Sequence, residues 1–167
     1  MRVIAGSLKG RRLKAPKWEG LRPTSDKLRE TLFNILQGRI EGARVLDVFS
    51  GTGAVTLEAL SRGAVSATCV DNDRRAAALI TENAALCRES ERCVIIRDVA
   101  PRALKHPLPG GPFDIVVLDP PYDFANLDEA VRDAAGQRAA DGIENLEHGS
   151  RVTPPQPDGL PLTRAGK

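Results

Sequence analysis

Two short segments carry residue types whose spacing could do chemistry. Asp119-Pro120-Pro121-Tyr122 follows the apolar run FDIVVL at 113–118, and Asp47-Val48-Phe49-Ser50-Gly51-Thr52-Gly53 closes the run RVLDVF at 44–49. Consecutive prolines fix φ and remove two N–H donors, so the chain must leave a strand rigidly at that corner. The Asp119 carboxylate and the Pro120 carbonyl then supply two fixed acceptors for the two hydrogens of an exocyclic amine. Pro121 stiffens the exit, and Tyr122, the only tyrosine in the chain, offers a flat face on which a base could stack. In the second segment, Gly51 and Gly53 allow a sharp strand-to-helix turn and close approach of a ligand to the main chain. Asp71 follows 18 residues after Gly53, at the end of the next apolar run, where a carboxylate can accept both hydroxyls of a ribose.

The dinucleotide fingerprint G-x-G-x-x-G is not met, because its third glycine position holds Thr56. Asp47 beside the turn would repel a pyrophosphate. It suits a ligand carrying an ammonium and a sulfonium, and S-adenosyl-L-methionine carries both. Asp98, at the end of the third run, could accept from an adenine amino group while Val99 packs on the ring.

The elements that must position these residues alternate. Strands are expected at 44–49, 66–70, 93–97 and 113–118, with a helix after the glycine turn and further helices at 73–88 and about 126–139. A short further strand is expected near Ile143–Glu147. Such alternation implies right-handed crossovers and a mostly parallel sheet covered on both faces, an α/β Rossmann-like fold. Ligands then bind at the carboxyl ends of the strands, where Asp47, Asp71, Asp98 and Asp119 stand. Before this programme, Leu28, Leu32, Ile35 and Leu36 predict one apolar face of a helix capped by Thr24 or Ser25.

Charge is distributed unevenly. Residues 1–44 hold 11 Lys+Arg against 4 Asp+Glu, while the remainder holds 13 against 18, so a net +2 conceals a basic arm on an acidic body. A polyanion is the natural partner of such an arm. The reading gives a basic arm at 1–24, a catalytic domain at 25–141 and a Pro/Gly-rich tail at 142–167. No apolar run is long enough for a bilayer and no secretion signal opens the chain, so a cytoplasmic monomer is expected. Cys69, Cys87 and Cys93 form no C-x-x-C pair, and with two histidines no metal is expected.

With these motifs in order, the sequence resembles the class I S-adenosylmethionine-dependent amino-methyltransferases. RVIAGSLKGRRLKAP (2–16), LRPTSDKLRETLFNIL (21–36) and GTGAVTLEALSRGA (51–64) are similar to the RsmD family, which methylates a guanine N2 of bacterial small-subunit (16S) ribosomal RNA. The resemblance spans about residues 1–125. It implies that Asp47, Gly51, Gly53, Asp71 and Asp98 hold the cofactor, with Phe49, Thr52, Asn72 and Val99 completing its site. It also implies that Arg22, Pro23 and Thr24 fold over that site, and that Asp119 to Tyr122 hold the guanine. Arg2, Lys9, Arg11, Arg12 and Lys14 would grip phosphates of ribosomal RNA or of the small subunit. Ser50-Gly51 stands where the family has Ala-Gly. Leu146–Arg151 reads as the exit of a penultimate strand, and the reading expects the closing strands to be incomplete. Methylation of a DNA adenine N6, or a non-catalytic RNA-binding remnant, are the other functions the sequence admits.

Overall fold

In the computed structural model, which describes residues 1–21 and 23–147, the strands are β1 (Arg44–Val48), β2 (Ser66–Asp71), β3 (Cys93–Arg97), β4 (Phe113–Leu118) and β5 (Arg138–Leu146). They form one sheet in the order β3-β2-β1-β4-β5, and every pair is parallel. Helices α2 (Ala54–Ser61), α3 (Arg74–Leu86), α4 (Ala100–Ala103) and α5 (Leu127–Ala135) make the crossovers, and α1 (Asp26–Ile35) precedes the sheet. The chain runs outward from β1 to β3 and then returns to place β4 on the other side of β1. That reversal opens a crevice beyond the carboxyl ends of β1 and β4.

The strands are apolar on both sides because both faces are covered. Val45, Ile115 and Val117 face a core shared with α2 and the amino-terminal arm. Their alternating neighbours Leu46, Val48, Val116 and Leu118 face a second core with Leu104, Ala130, Val131 and Ala134. Two-residue alternation thus assigns successive side chains to the two layers.

Three expectations need correction. The helix α1 forms with Ser25 as its cap, accepting from Leu28 N at 3.2 Å, but the buried stripe is Arg29, Phe33 and Leu36. Leu28 and Ile35 are 37% and 41% exposed. The face is turned because the arm, not the sheet alone, covers α1: the wholly buried Arg29 guanidinium donates to Arg2 O at 2.8 Å and to Asp26 Oδ1 at 2.8 Å. Next, α5 ends at Ala135, and residues expected to close it already belong to β5. Gly136 terminates the helix, and Phe113 N donates to Gln137 O at 2.9 Å, starting the strand pairing there. Last, β5 is longer than the short run expected near Ile143–Glu147 and passes through residue 142, where the tail was expected to start. Most of the expected tail, including the strand exit beyond Glu147, lies outside the described residues.

The arm is docked rather than loose. Val3 and Leu13 lie in the first core, and Arg2 bridges Arg12 in antiparallel fashion. Glu58, wholly buried on α2, accepts from Ile4 N at 2.8 Å and Ala5 N at 3.0 Å, and pairs with Arg62 Nε at 2.9 Å. Ser61 Oγ accepts from Leu8 N at 2.9 Å. Gly6 is obligatory at this contact, since its φ is +84° and a Cβ would lie 2.0 Å from Ser61 O. On α3, Asn83 accepts from Lys14 N at 2.8 Å and donates back to Lys14 O at 3.1 Å.

Candidate active site

The glycine turn and the proline corner meet at one edge of the sheet. Val48 and Leu118 are register partners, and Asp119 N donates to Val48 O at 3.4 Å. Just beyond the strands, the Phe49 and Phe124 rings pack edge to face with centroids 4.9 Å apart. Phe49 holds a left-handed backbone, φ 64°, a costly conformation for an aromatic residue and one that turns the chain back over the cleft. Gly53 has φ 76°, and a Cβ there would meet Ile80 Cγ1 and Cγ2 at 3.1 Å, so a side chain would strain the backbone and crowd Ile80. Ser50 and Thr52 are buried inside the loop: Ser50 Oγ donates to Val70 O at 3.2 Å, and Thr52 Oγ1 accepts from Ala54 N at 3.4 Å.

Four acids border this turn. Asp47 is buried, takes a 2.7 Å hydrogen bond from Thr56 Oγ1, and is pushed up to about 7 by burial, with the charges of Asp119 and Asp71 adding to the rise. Asp71 accepts from Gly51 N at 2.8 Å and from Asp73 N at 2.9 Å, so it fixes the turn while retaining lone pairs. Asp119 accepts from Thr24 Oγ1 at 3.1 Å, and burial raises its carboxyl above the usual range. Asp98 is different: Oδ1 accepts from Val99 N at 2.7 Å and from Arg102, which holds its pKa below normal. Val99 is open to solvent, as is Asn72.

A strap crosses the edge. Trp18 stacks under the Arg75 guanidinium at 5.0 Å, Leu21 Cδ1 lies 3.3 Å from a Cβ built on Gly51, and Thr24 reaches Asp119. The strap therefore meets the turn through Leu21 and the corner through Thr24. Arg22 lies outside the described residues. Pro120 is half-buried, while Pro121 and Tyr122 are exposed, the ring at 71%.

The basic residues gather elsewhere. A shallow groove of about 770 Å³ is lined by Ser7–Lys14 and Leu86, and so brings Lys9, Arg11, Arg12 and Lys14 together. Lys14 also pairs with Glu82 at 2.9 Å, and Arg2 stands 4.0 Å from Asp26 on the α1 side. Residues that sequence reasoning passed over are Leu21, Thr56, Glu58, Asn83, Phe124 and Glu147. Glu58 had a signal, a lone acid inside the apolar helix AVTLEALS. Asn83 and Phe124 had none, because their roles come from contacts with distant segments.

Asp47, Asp71 and Asp119 have no Lys or Arg within ion-pair distance among the described residues. Such a set favours a cationic ligand, and the ammonium and sulfonium of S-adenosylmethionine fit it. Among the described residues no group could hold a metal ion, and no helix is long and apolar enough to cross a membrane.

Sheet order, glycine turn and proline corner together define a class I methyltransferase fold. The solved structure of a candidate methylase, HI0767, from Haemophilus influenzae superposes with a TM-score of 0.74 and 29% identity, covering 99% of this chain and 92% of that one. The family model described as conserved hypothetical protein 95 matches residues 1–166, and the chain belongs to that family, the RsmD family. Ribosomal RNA small subunit methyltransferase D of Escherichia coli K12 is 39% identical over 131 residues, covering 78% of this chain and 65% of the relative. The match thus spans just under two thirds of that protein's length. YlbH, a candidate rRNA methyltransferase of Bacillus subtilis 168, is 36% identical over 98% of this chain and 91% of its own.

Proposed function

We propose that this protein transfers a methyl group from S-adenosylmethionine to the N2 amine of a guanine in small-subunit ribosomal RNA. The observation that carries the proposal is the convergence on one sheet edge of three carboxylates, Asp47, Asp71 and Asp119, that have no cationic partner among the described residues. The names of the relatives support the substrate class, since one is a ribosomal RNA small subunit methyltransferase and another a candidate rRNA methyltransferase.

When bound, the cofactor supplies an electrophilic methyl carbon on a positively charged sulfur. Asp47 and Asp71 would place it: the buried Asp47 would set a negative potential toward the cationic end, and Asp71 would accept from the ribose hydroxyls while holding Gly51 N–H. Asn72, Phe49, Thr52 and Val99 line its flanks, and Asp98 accepts from the adenine amine through the carboxylate oxygen that Arg102 leaves free. Asp119 and the Pro120 carbonyl accept from the two hydrogens of the guanine amine. This localises the nitrogen lone pair on the side of the cofactor site. With the cofactor bound, the methyl carbon would pass to that nitrogen, its former bonding pair would stay on sulfur, and the surplus proton would leave nitrogen after transfer. Most of the rate then derives from position and electrostatics rather than from a strong base. Tyr122, exposed beside the corner, stacks on the extruded base.

The arm supplies affinity. Lys9, Arg11, Arg12 and Lys14 line one groove, and such a row neutralises phosphates. Arg2 extends it, and Thr24 closes the strap onto Asp119. Glu58, Ser61 and Asn83 position that row relative to the edge. The enzyme works as a cytoplasmic monomer. Incubation of small subunits from cells lacking the enzyme with labelled S-adenosylmethionine, followed by mass spectrometry of the nucleosides, tests the proposal. N2-methylguanosine is the expected product; N6-methyladenosine, or bound cofactor with no methylated nucleoside, overturns it.

A further inference from the structure

Two buried acids on the last described strand are left over by that reading, Glu144 within it and Glu147 at its carboxyl end, and only Glu147 adjoins the proline corner. Glu147 directly follows β5, next to the proline corner: Leu146 is the register partner of Leu118, and Glu147 N donates to Leu118 O at 2.9 Å. Asp47, the penultimate residue of β1, and Asp119 and Glu147, each one residue past β4 and β5, thus stand in a row across three neighbouring strands. Asp119 is the middle member, since its charge acts on Asp47 to one side and on Glu147 to the other. Glu147 is half-buried, has no hydrogen-bond or ion-pair partner for its carboxylate among the described residues, and is pushed up to about 7 by burial and by Asp119. A partly desolvated carboxylate beside another carboxylate is costly unless a donor arrives.

The order of the row matches the order of groups that the reaction needs. Asp47 faces the cationic donor and Asp119 faces the amine, so the next position along meets the ring atom beside that amine. In guanine one of the two ring nitrogens beside the amine is N1–H, a donor, and the other, N3, is an acceptor. In adenine and cytosine the ring nitrogen beside the amine is an acceptor with a lone pair. An additional carboxylate there attracts the first edge and repels the other two.

We propose that Glu147 accepts the N1–H of the target guanine next to the amine held by Asp119, and that it is a specificity-determining residue for guanine. The proposal rests on the guanine-N2 reading above and names the contact that selects the base. Asp119 alone satisfies any exocyclic amine; the pair satisfies only an edge with adjacent donors.

The test compares wild type with Glu147→Gln on small subunits from cells lacking the enzyme, with nucleoside mass spectrometry as readout. Once the methylated position is mapped, subunits reconstituted with 2-aminopurine at that position provide the second substrate. 2-Aminopurine keeps the N2 amine but presents an unprotonated ring N1. Wild type should prefer guanine to 2-aminopurine by about tenfold or more in kcat/KM, the cost of an unmatched buried polar contact. Glu147→Gln should lose about tenfold on guanine. It should also narrow or reverse the preference, because its amide can donate to the bare nitrogen. Cofactor affinity should stay within about twofold of wild type, well under the tenfold that corresponds to ~1.4 kcal/mol. The ratio of the two substrates is internal to each variant, so a fraction of misfolded protein does not alter it. An unchanged ratio in Glu147→Gln overturns the proposal while leaving the guanine reading standing. If wild type makes no N2-methylguanosine, the guanine reading falls and this inference with it.

Discussion

The carboxyl edge of the sheet and the amino-terminal arm use polar groups in opposite ways. At the edge, Asp47, Asp119 and Glu147 are partly or wholly buried with no cation paired to them among the described residues, and each is raised above the usual carboxylate range. Under the arm, buried Glu58 is fully engaged, with two backbone N–H groups and Arg62 around it. The first arrangement leaves charge unsatisfied and therefore suits ligands. The second satisfies charge and therefore suits attachment. Between Glu58 and the acids of the edge, unmet electrostatic demand thus marks those that would act on a substrate and met demand the one that holds the acting parts in place.

The largest effect that would break this contrast is expected at the proline corner. Asp119→Ala should lower methyl transfer by about a thousandfold. Cofactor affinity by calorimetry should remain within about tenfold, or ~1.4 kcal/mol. Equal loss of both would move Asp119 to the cofactor side. Next, Glu58→Ala should destabilise the fold by about 3 kcal/mol, because Ile4 N, Ala5 N and Arg62 lose a buried acceptor. Denaturant melts would give that figure. Hydrogen exchange should show the amides of residues 3–14 losing protection before the sheet does; uniform loss would mean that the arm is not separately moored.

A smaller and purely electrostatic effect is expected from Arg11→Glu with Arg12→Glu. RNA affinity should fall, and the slope of log K against log salt should become shallower by about 2. An unaltered slope would remove both residues from the interface. The mildest effect concerns pH. Asp47 has its carboxyl raised from 3.8 to about 7, so its protonated form is favoured on folding. Its contribution to stability is complete below the unfolded value and is lost as pH rises through about 7. A cationic cofactor needs the ionised form, so affinity should change in the opposite sense, rising with pH up to about 7 and levelling above it. Titration calorimetry from acid to mildly alkaline pH would show the step, and Asp47→Asn should remove it.

Much of the site could be read along the chain because its chemistry is local. The glycine turn, the proline corner and the acids at strand ends are each contiguous with the strand that carries them, and β3 and β4 fall at the expected residues. The arm and its neighbours were less legible. Leu28, Leu32, Ile35 and Leu36 suggested an inward face for α1; Leu36 is buried and Leu32 packs at the core's margin, but Arg29 and Phe33 are buried in place of Leu28 and Ile35, because the arm offers a carbonyl at Arg2 to a buried guanidinium. No periodicity rule places an arginine inside. Likewise, Asn83 lies on an exposed-looking helix until residue 14 arrives to bond it from 69 positions away.

The sequence by itself determined the strand–helix alternation, and with it the edge at which Asp47, Asp71 and Asp119 would gather, since hydrophobic period and turn chemistry act over a few residues. Tertiary structure alone decided which face α1 buries and how the arm is moored. It also decided that the chain at Glu147 passes beside Asp119. Those outcomes depend on pairings between segments far apart in the chain, where the free energy comes from contacts that no local pattern encodes.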